Sequence, residues 1–171
     1  LKADAIVSPA NSFVYMDGGI DLYLSQFLGW HVQDRLQEKI KSVHHGELLV
    51  GTADIVPTDH ERFPYLIAAP TMRVPTILGD TSVNPYLAMC AILRLVRYGK
   101  FVDGTSIAEK VKSVAIPGLG TGVGQVPPDM CARQMYQAVS DILWDQYNFP
   151  GSWVAAVRAQ EALTKPSKDW S

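Results

Sequence analysis

Four glycines alternate in the seven residues Gly118-Leu119-Gly120-Thr121-Gly122-Val123-Gly124. An apolar run, Lys112 to Ile116, precedes them and predicts a strand; the pattern from Asp129 to Trp144 predicts a helix after them. A bend of this kind lets backbone approach a ligand closely, because no Cβ stands in the way. Its free N–H groups can form an anion-binding concavity, and the dipole of a following helix favours negative charge. The loop therefore points to a phosphate-bearing ligand. A plain turn needs one glycine, not four. The loop is not a P-loop, since no Lys-Ser or Lys-Thr closes it. Nor is it a dinucleotide fingerprint, because the third glycine position falls on Val123 or Gln125.

The rest of the chain alternates strands and helices. Ala3 to Val7 predicts a short buried strand, followed by a loop through Gly19. Apolar residues recur at helical spacing from Ile20 to Val43, with Gly29 as a candidate break. Leu48 to Ile55 predicts one or two strands and Tyr65 to Ala69 another. Thr71 to Thr81 is a loop, and Asn84-Pro85 opens a helix, since proline suits a first turn. The stretch Trp153 to Leu163 is a further helical candidate. This alternation argues for an α/β sandwich on a parallel or mixed sheet. With 171 residues the chain is most simply one domain, its motifs within about 3–143 and residues 149–171 forming a C-terminal extension.

The first predicted strand also ends in a loop with a glycine pair at a helix start, Ser8 to Asp21. In α/β sheets ligands bind beyond the carboxyl ends of the strands, so both glycine loops are expected on one edge. Two such loops suit a diphosphate. The segment Asp4-Ala5-Ile6-Val7-Ser8-Pro9-Ala10-Asn11-Ser12, with Gly18-Gly19-Ile20-Asp21 after it, is similar to the D-A-I-V-N-A-A-N-S and glycine-V-D signature of the macro domain family. Gly120-Thr121-Gly122-Val123-Gly124 resembles that family's second signature, S-T-G-[VI]-[FY]-G.

The resemblance implies a three-layer α/β/α sandwich that binds ADP-ribose or a related nucleotide diphosphate. It implies that Asn11, beside Ala10, meets the distal ribose. It assigns Gly18, Gly19 and Ile20 to one diphosphate loop and Gly118, Leu119, Gly120, Thr121, Gly122 and Val123 to the other. Gly124 stands where an aromatic residue usually covers the distal ribose; Tyr15 or Phe13 are candidate replacements. In the hydrolytic branch of the family, the counterpart of Asp21 positions the water that attacks the ribosyl carbon, which makes Asn11 and Asp21 the catalytic candidates. Taken by themselves, Asn11 also suits a turn and Asp21 a helix cap.

The sequence departs from the signature at Ser8-Pro9, where Asn-Ala is usual, and at Met16-Asp17, which replaces two glycines. It begins at Leu1, without the upstream strand whose aspartate reads adenine in the family. Weak base selectivity is the expectation, and an uncovered sheet edge would favour a homo-oligomer.

Two functions fit: hydrolysis of ADP-ribosyl or O-acyl-ADP-ribose bonds, or non-catalytic binding of ADP-ribose and ADP-ribosylated protein. No cofactor is expected, and His31, His44, His45 and His60 show no metal-ligand spacing. A net charge of −2 gives no sign of nucleic-acid binding, and no apolar run is of membrane-spanning length. Cys90 and Cys131 read as buried thiols, and a cytoplasmic location is the default. Asp54, Asp59, His60 and Glu61 read as a solvated loop, and Arg73 as a partner for either a phosphate or a surface carboxylate.

Overall fold

A computed structural model describes residues 1–165; the end of the predicted C-terminal extension, residues 166–171, lies outside them. Strand β1 (Ala5–Ser8) runs through the middle of the sheet. It pairs in parallel with β3 (Tyr65–Ala68) on one side and β4 (Val114–Ala115) on the other. Strand β2 (Asp54–Pro57) completes the order β2-β3-β1-β4 and is antiparallel to β3. The sheet is therefore mixed.

Helices cover both faces. On one side, α1 (Gly19–Leu28) and α2 (His31–Val43) pack Leu24, Leu28, Val32, Leu36 and Ile40 against Leu66, Ala68 and Val56. On the other, α3 (Asn84–Tyr98), the single turn α4 (Ile107–Lys110) and α5 (Pro128–Ile142) pack against Ala5, Val7, Ile55 and Ile67. Successive strand residues thus feed opposite cores, as the period-two geometry of a strand requires. Helix α6 (Trp153–Thr164) lies against α5 with no buried residue of its own. This is the expected α/β/α sandwich. Among the described residues no helix is long and apolar enough to cross a membrane.

The candidate break at Gly29 is present, and two local expectations change. The predicted helix from Ile20 to Val43 is two helices, broken at Gly29, whose φ of 98° is one that side-chain-bearing residues rarely adopt. Residues 48–53 form turns rather than a strand; buried Leu48 anchors that segment, its N–H donating to the Ser12 carbonyl at 2.9 Å. The predicted strand before the glycine loop shrinks to Val114–Ala115. The Asp4 carboxylate takes the N–H groups of Lys112 and Ser113 at 2.8 and 2.9 Å, removing them from any strand ladder.

Asp54 is not part of a solvated loop. It is a buried strand residue, and its carboxylate receives Lys39 Nζ on one oxygen and His44 Nε2, at 2.8 Å, on the other. Lys39 also donates to the Ile55 carbonyl at 2.9 Å, so the cluster ties the end of α2 to β2. Replacing Asp54 by Ala strands a partly buried cation and is expected to destabilise the fold by about 2–4 kcal/mol. Glu47→Ala, which removes only the exposed pair with Arg73, is expected to lose less than about 1 kcal/mol. Urea midpoints of the two variants test the contrast.

Candidate functional site

The carboxyl ends of β1, β3 and β4 point the same way because the three strands are parallel. The loops that leave them enclose a cleft of about 570 Å³. Its walls come from residues between Pro9 and Asp21, from Thr71, Met72, Val74 and Pro75, and from residues between Pro117 and Gly124. Both glycine loops therefore share one cavity. The middle wall is missing from the sequence reading, which singled out only Arg73 there. Arg73 points away: its guanidinium pairs with Glu47 at 2.7 Å and lies over the Phe13 ring, 5.1 Å from the centroid.

The three loops are laced together by backbone bonds that continue past the strand ends. Ala69 N–H donates to the Ser8 carbonyl at 3.0 Å, Thr71 N–H to Ala10 at 3.1 Å, and Ser12 N–H to Met72 at 3.1 Å. On the far side, the N–H groups of Leu78 and Gly79 both donate to the Gly124 carbonyl, at 2.8 and 3.1 Å.

The first loop is pinned by side chains of the helices beneath it. Ser25 Oγ donates to the Met16 carbonyl at 3.0 Å, and Gln33 Oε1 accepts from Met16 N–H at 2.7 Å. Met16 and Val14 are fully buried in the helix-facing core. Met16, where the family signature has glycine, thus serves as an anchor. Asp17 is exposed on the cleft wall. Asn11 closes the same loop: its Oδ1 accepts from Phe13 N–H at 3.1 Å and Tyr15 N–H at 3.3 Å, while Nδ2 donates to the Tyr15 carbonyl at 2.9 Å. A primary amide has two N–H donors, so one of Asn11's is left for another acceptor.

In the second loop, Gly118, Gly120, Thr121, Gly122, Val123 and Gly124 line the cleft. Leu119 does not; its side chain is fully buried in the opposite core. Thr121 Oγ1 donates to the Gly118 carbonyl at 3.1 Å. A Cβ at Gly124 would sit 2.5 Å from the Gly120 carbonyl oxygen, so no aromatic residue fits this backbone there. Phe13 and Tyr15 instead line the cleft from the first loop. A Cβ at Gly122, by contrast, meets nothing within 4 Å.

Gly18, Gly19, Ile20 and Asp21 form the start of α1 and line the cleft, as do Ala10 and Asn11. Asp21 is not an N-cap, and no side-chain cap bond is formed at this helix start. Its carboxylate is buried and accepts a 2.7 Å hydrogen bond from the Ser8 hydroxyl at the end of β1. Burial disfavours the charged form and pushes the carboxyl up to about 6, against a smaller opposing effect of the Ser8 bond. The described cleft lining contains two carboxylates, Asp17 and Asp21, and no lysine, arginine or histidine. An anion held there meets no cationic side chain among the lining residues, only neutral donors such as backbone N–H groups.

The Macro domain family matches residues 7–135, three quarters of the chain and both glycine loops. This chain belongs to the macro domain family. Among similar sequences, an uncharacterized protein of Aquifex aeolicus is 33% identical over 139 residues, covering 81% of this chain and 74% of its own length. One of Aeropyrum pernix is 30% identical, covering 86% and 70%. Among solved structures, the Oceanobacillus iheyensis macrodomain with ADP has a TM-score of 0.66 at 21% identity, covering 94% of this chain and 83% of that one. A mutant of the same macrodomain has been solved with ADPR, also at a TM-score of 0.66, with 20% identity and coverage of 94% and 84%. The macrodomain of Mycobacterium tuberculosis DarG has a TM-score of 0.63 at 21% identity, covering 82% and 84%.

The raised Asp21 carboxyl couples this macro domain's stability to pH. Between the ordinary aspartate value of 3.8 and about 6, the folded protein holds a proton that the unfolded chain has lost. That stabilising contribution is complete below 3.8 and is lost as pH rises through about 6. Asn at this position keeps an acceptor for Ser8 and never ionises. The stability of Asp21→Asn relative to wild type is therefore expected to grow by about 2–3 kcal/mol between pH 4 and pH 8. Denaturant titrations at the two pH values measure it; an unchanged difference would place Asp21 in an ordinary solvated setting.

Proposed function

We propose that this macro domain binds ADP-ribose, with the diphosphate cradled between the two glycine loops, and hydrolyses an ADP-ribosyl or O-acyl-ADP-ribose bond. The observation that carries the reading is the convergence of both loops and a buried carboxylate on one cleft. The backbone at Gly18 and Gly19 supplies one side of the anion cradle, and that at Gly118 to Val123 the other. The free N–H of Asn11 serves a ribose hydroxyl while the rest of its amide keeps the loop closed, so its turn and ligand roles coexist.

Asp21 supports the hydrolytic half of the proposal. A carboxylate lifted toward neutrality by burial is a better proton acceptor than a solvated one. In the proposed step, water forms a bond to the ribosyl carbon as the bond to the leaving group breaks. Asp21 orients that water and takes its proton, which then passes to the leaving group. A binder without catalysis remains the second reading. It is favoured by the engagement of most of Asn11's hydrogen-bonding capacity within its own loop.

Calorimetric titration with ADP-ribose, ADP and AMP tests the ligand. ADP-ribose is expected to bind and AMP to bind poorly, because the second phosphate and distal ribose supply most of the contacts. Gly122→Val is the cleanest disruption, since the free fold has room for the side chain while a diphosphate beside it does not. Gly19→Val is less informative, because Gly19 has a φ of 56° and any side chain strains the helix start. Absence of heat or thermal shift with wild-type protein at millimolar ADP-ribose would rule out the ligand.

Turnover separates the two functional readings. With ADP-ribosylated protein and O-acyl-ADP-ribose as substrates, Asp21→Asn is expected to cut kcat by about 100-fold or more while retaining ADP-ribose binding. Undiminished turnover would confine Asp21 to a structural role. No turnover by wild type on either substrate, with binding intact, would select the binder.

A further inference from the structure

We propose that Ser8 is a positioning residue for this site, fixing one oxygen of the Asp21 carboxylate from below so that the other faces the ribose and its attacking water. The inference rests on the assignment of Asp21 to the reacting end of the ligand and adds the group that sets its orientation. Ser8 is fully buried at the carboxyl end of the central strand and does not line the cleft, so it acts only through its neighbour. Its Oγ lies 2.7 Å from Asp21 Oδ1, the one side-chain hydrogen bond of that carboxylate among the described residues.

The bond joins two elements that the ligand must meet in register. Ser8 sits on β1, where its Cα partner in the sheet is Ala68 of β3 and its carbonyl accepts from Ala69 N–H at 3.0 Å. Asp21 sits in the first turn of α1, with Ile20 between it and the glycine pair. The hydroxyl therefore locks the χ angles of Asp21 to the most constrained strand of the sheet. Without it, the carboxylate would have no side-chain hydrogen-bond partner among the described residues. The carboxylate would then be free to rotate toward solvent. Serine is also where this chain departs from the Asn-Ala-Ala-Asn run of its family signature. A hydroxyl reaches the carboxylate as a single donor and leaves no second polar hydrogen to satisfy in a fully buried position.

Charged neighbours do not duplicate this role. The other titratable side chains on the cleft wall are Asp17 and Tyr15, both exposed, and neither donates a hydrogen bond to Asp21. The other buried residues of α1 are Leu24, Ser25 and Leu28; of these only Ser25 carries a hydroxyl, and its Oγ is committed to Met16.

The test combines a readout in the free protein with one in turnover. In aspartate-labelled protein, the carboxyl carbon of Asp21 is followed by NMR through pH 4 to 9. Ser8→Ala is expected to raise the titration midpoint by about 0.5–1 pH unit, one hydrogen bond's net worth. Ser8→Cys, nearly isosteric but a weak donor, should follow Ala, and Ser8→Thr, which keeps the hydroxyl, should restore the wild-type midpoint. In the hydrolysis assay, the acid limb of kcat should move by the same amount, with kcat lowered about tenfold or more and KM changed less than about twofold. A midpoint unmoved in both Ser8→Ala and Ser8→Cys, in folded protein that still binds ADP-ribose, overturns the positioning role. Absence of wild-type turnover would overturn the hydrolytic reading instead, and the NMR arm would still decide whether Ser8 holds the carboxylate.

Discussion

The parallel pairing of β1 with a strand on each side is the constraint from which the site follows. Parallel neighbours cannot be joined by tight hairpins, so the chain must cross over a face of the sheet each time it returns. The connection from β1 to β3 runs through α1, α2 and the antiparallel strand β2, that from β3 to β4 through α3 and α4, and each brings another strand end to the same edge. The register Ser8 opposite Ala68 and Ile6 opposite Ala115 sets how far the three loops project past the sheet. Strand β4 is only two residues long, yet it delivers the second glycine loop opposite the first. Backbone pairing continues beyond the strands, through Ala69, Thr71 and Ser12, so the cleft floor is an extension of the sheet.

Two buried aspartates show how placement alone turns one residue type to different ends. Asp54 faces Lys39 and His44, its charge is met on both oxygens, and it fastens a helix to an edge strand. Among the described residues Asp21 has a single hydroxyl partner and no cation, and burial drives its carboxyl toward neutrality. The first arrangement supports the fold. The second works against it at neutral pH, where the carboxyl must ionise in a buried setting. The cleft repeats that economy on a larger scale. Its described lining lacks cationic side chains and leaves an anion to neutral donors, among them main-chain N–H groups, which are directional and cannot swing away.

Much of the site was legible because its elements are local. The spacing from Asn11 to Gly18, Gly19 and Asp21, and the alternation of glycines from Gly118 to Gly124, need only neighbouring residues to be recognised. The α/β alternation and the breaks at Gly29 and Pro85 were readable for the same reason: backbone conformation there follows from glycine and proline chemistry. The strand limits were less so. Whether Lys112 and Ser113 join a ladder depends on Asp4, more than a hundred residues away in sequence.

What the amino-acid order alone determined is the family pattern, the two loops and the identity of the groups that line them. What tertiary structure decided is which of those groups face one another. Arg73 turned to Glu47 instead of the cleft, Asp54 left its polar neighbours for a buried ion pair, and Leu119 put its side chain into the core while its neighbours lined the cavity. Ser8 read as a mere departure from a signature until the fold set its hydroxyl against Asp21. Periodicity and turn chemistry act over a few residues, whereas burial, hydrogen-bond partnership and the ionisation of a carboxyl depend on atoms that only folding brings together.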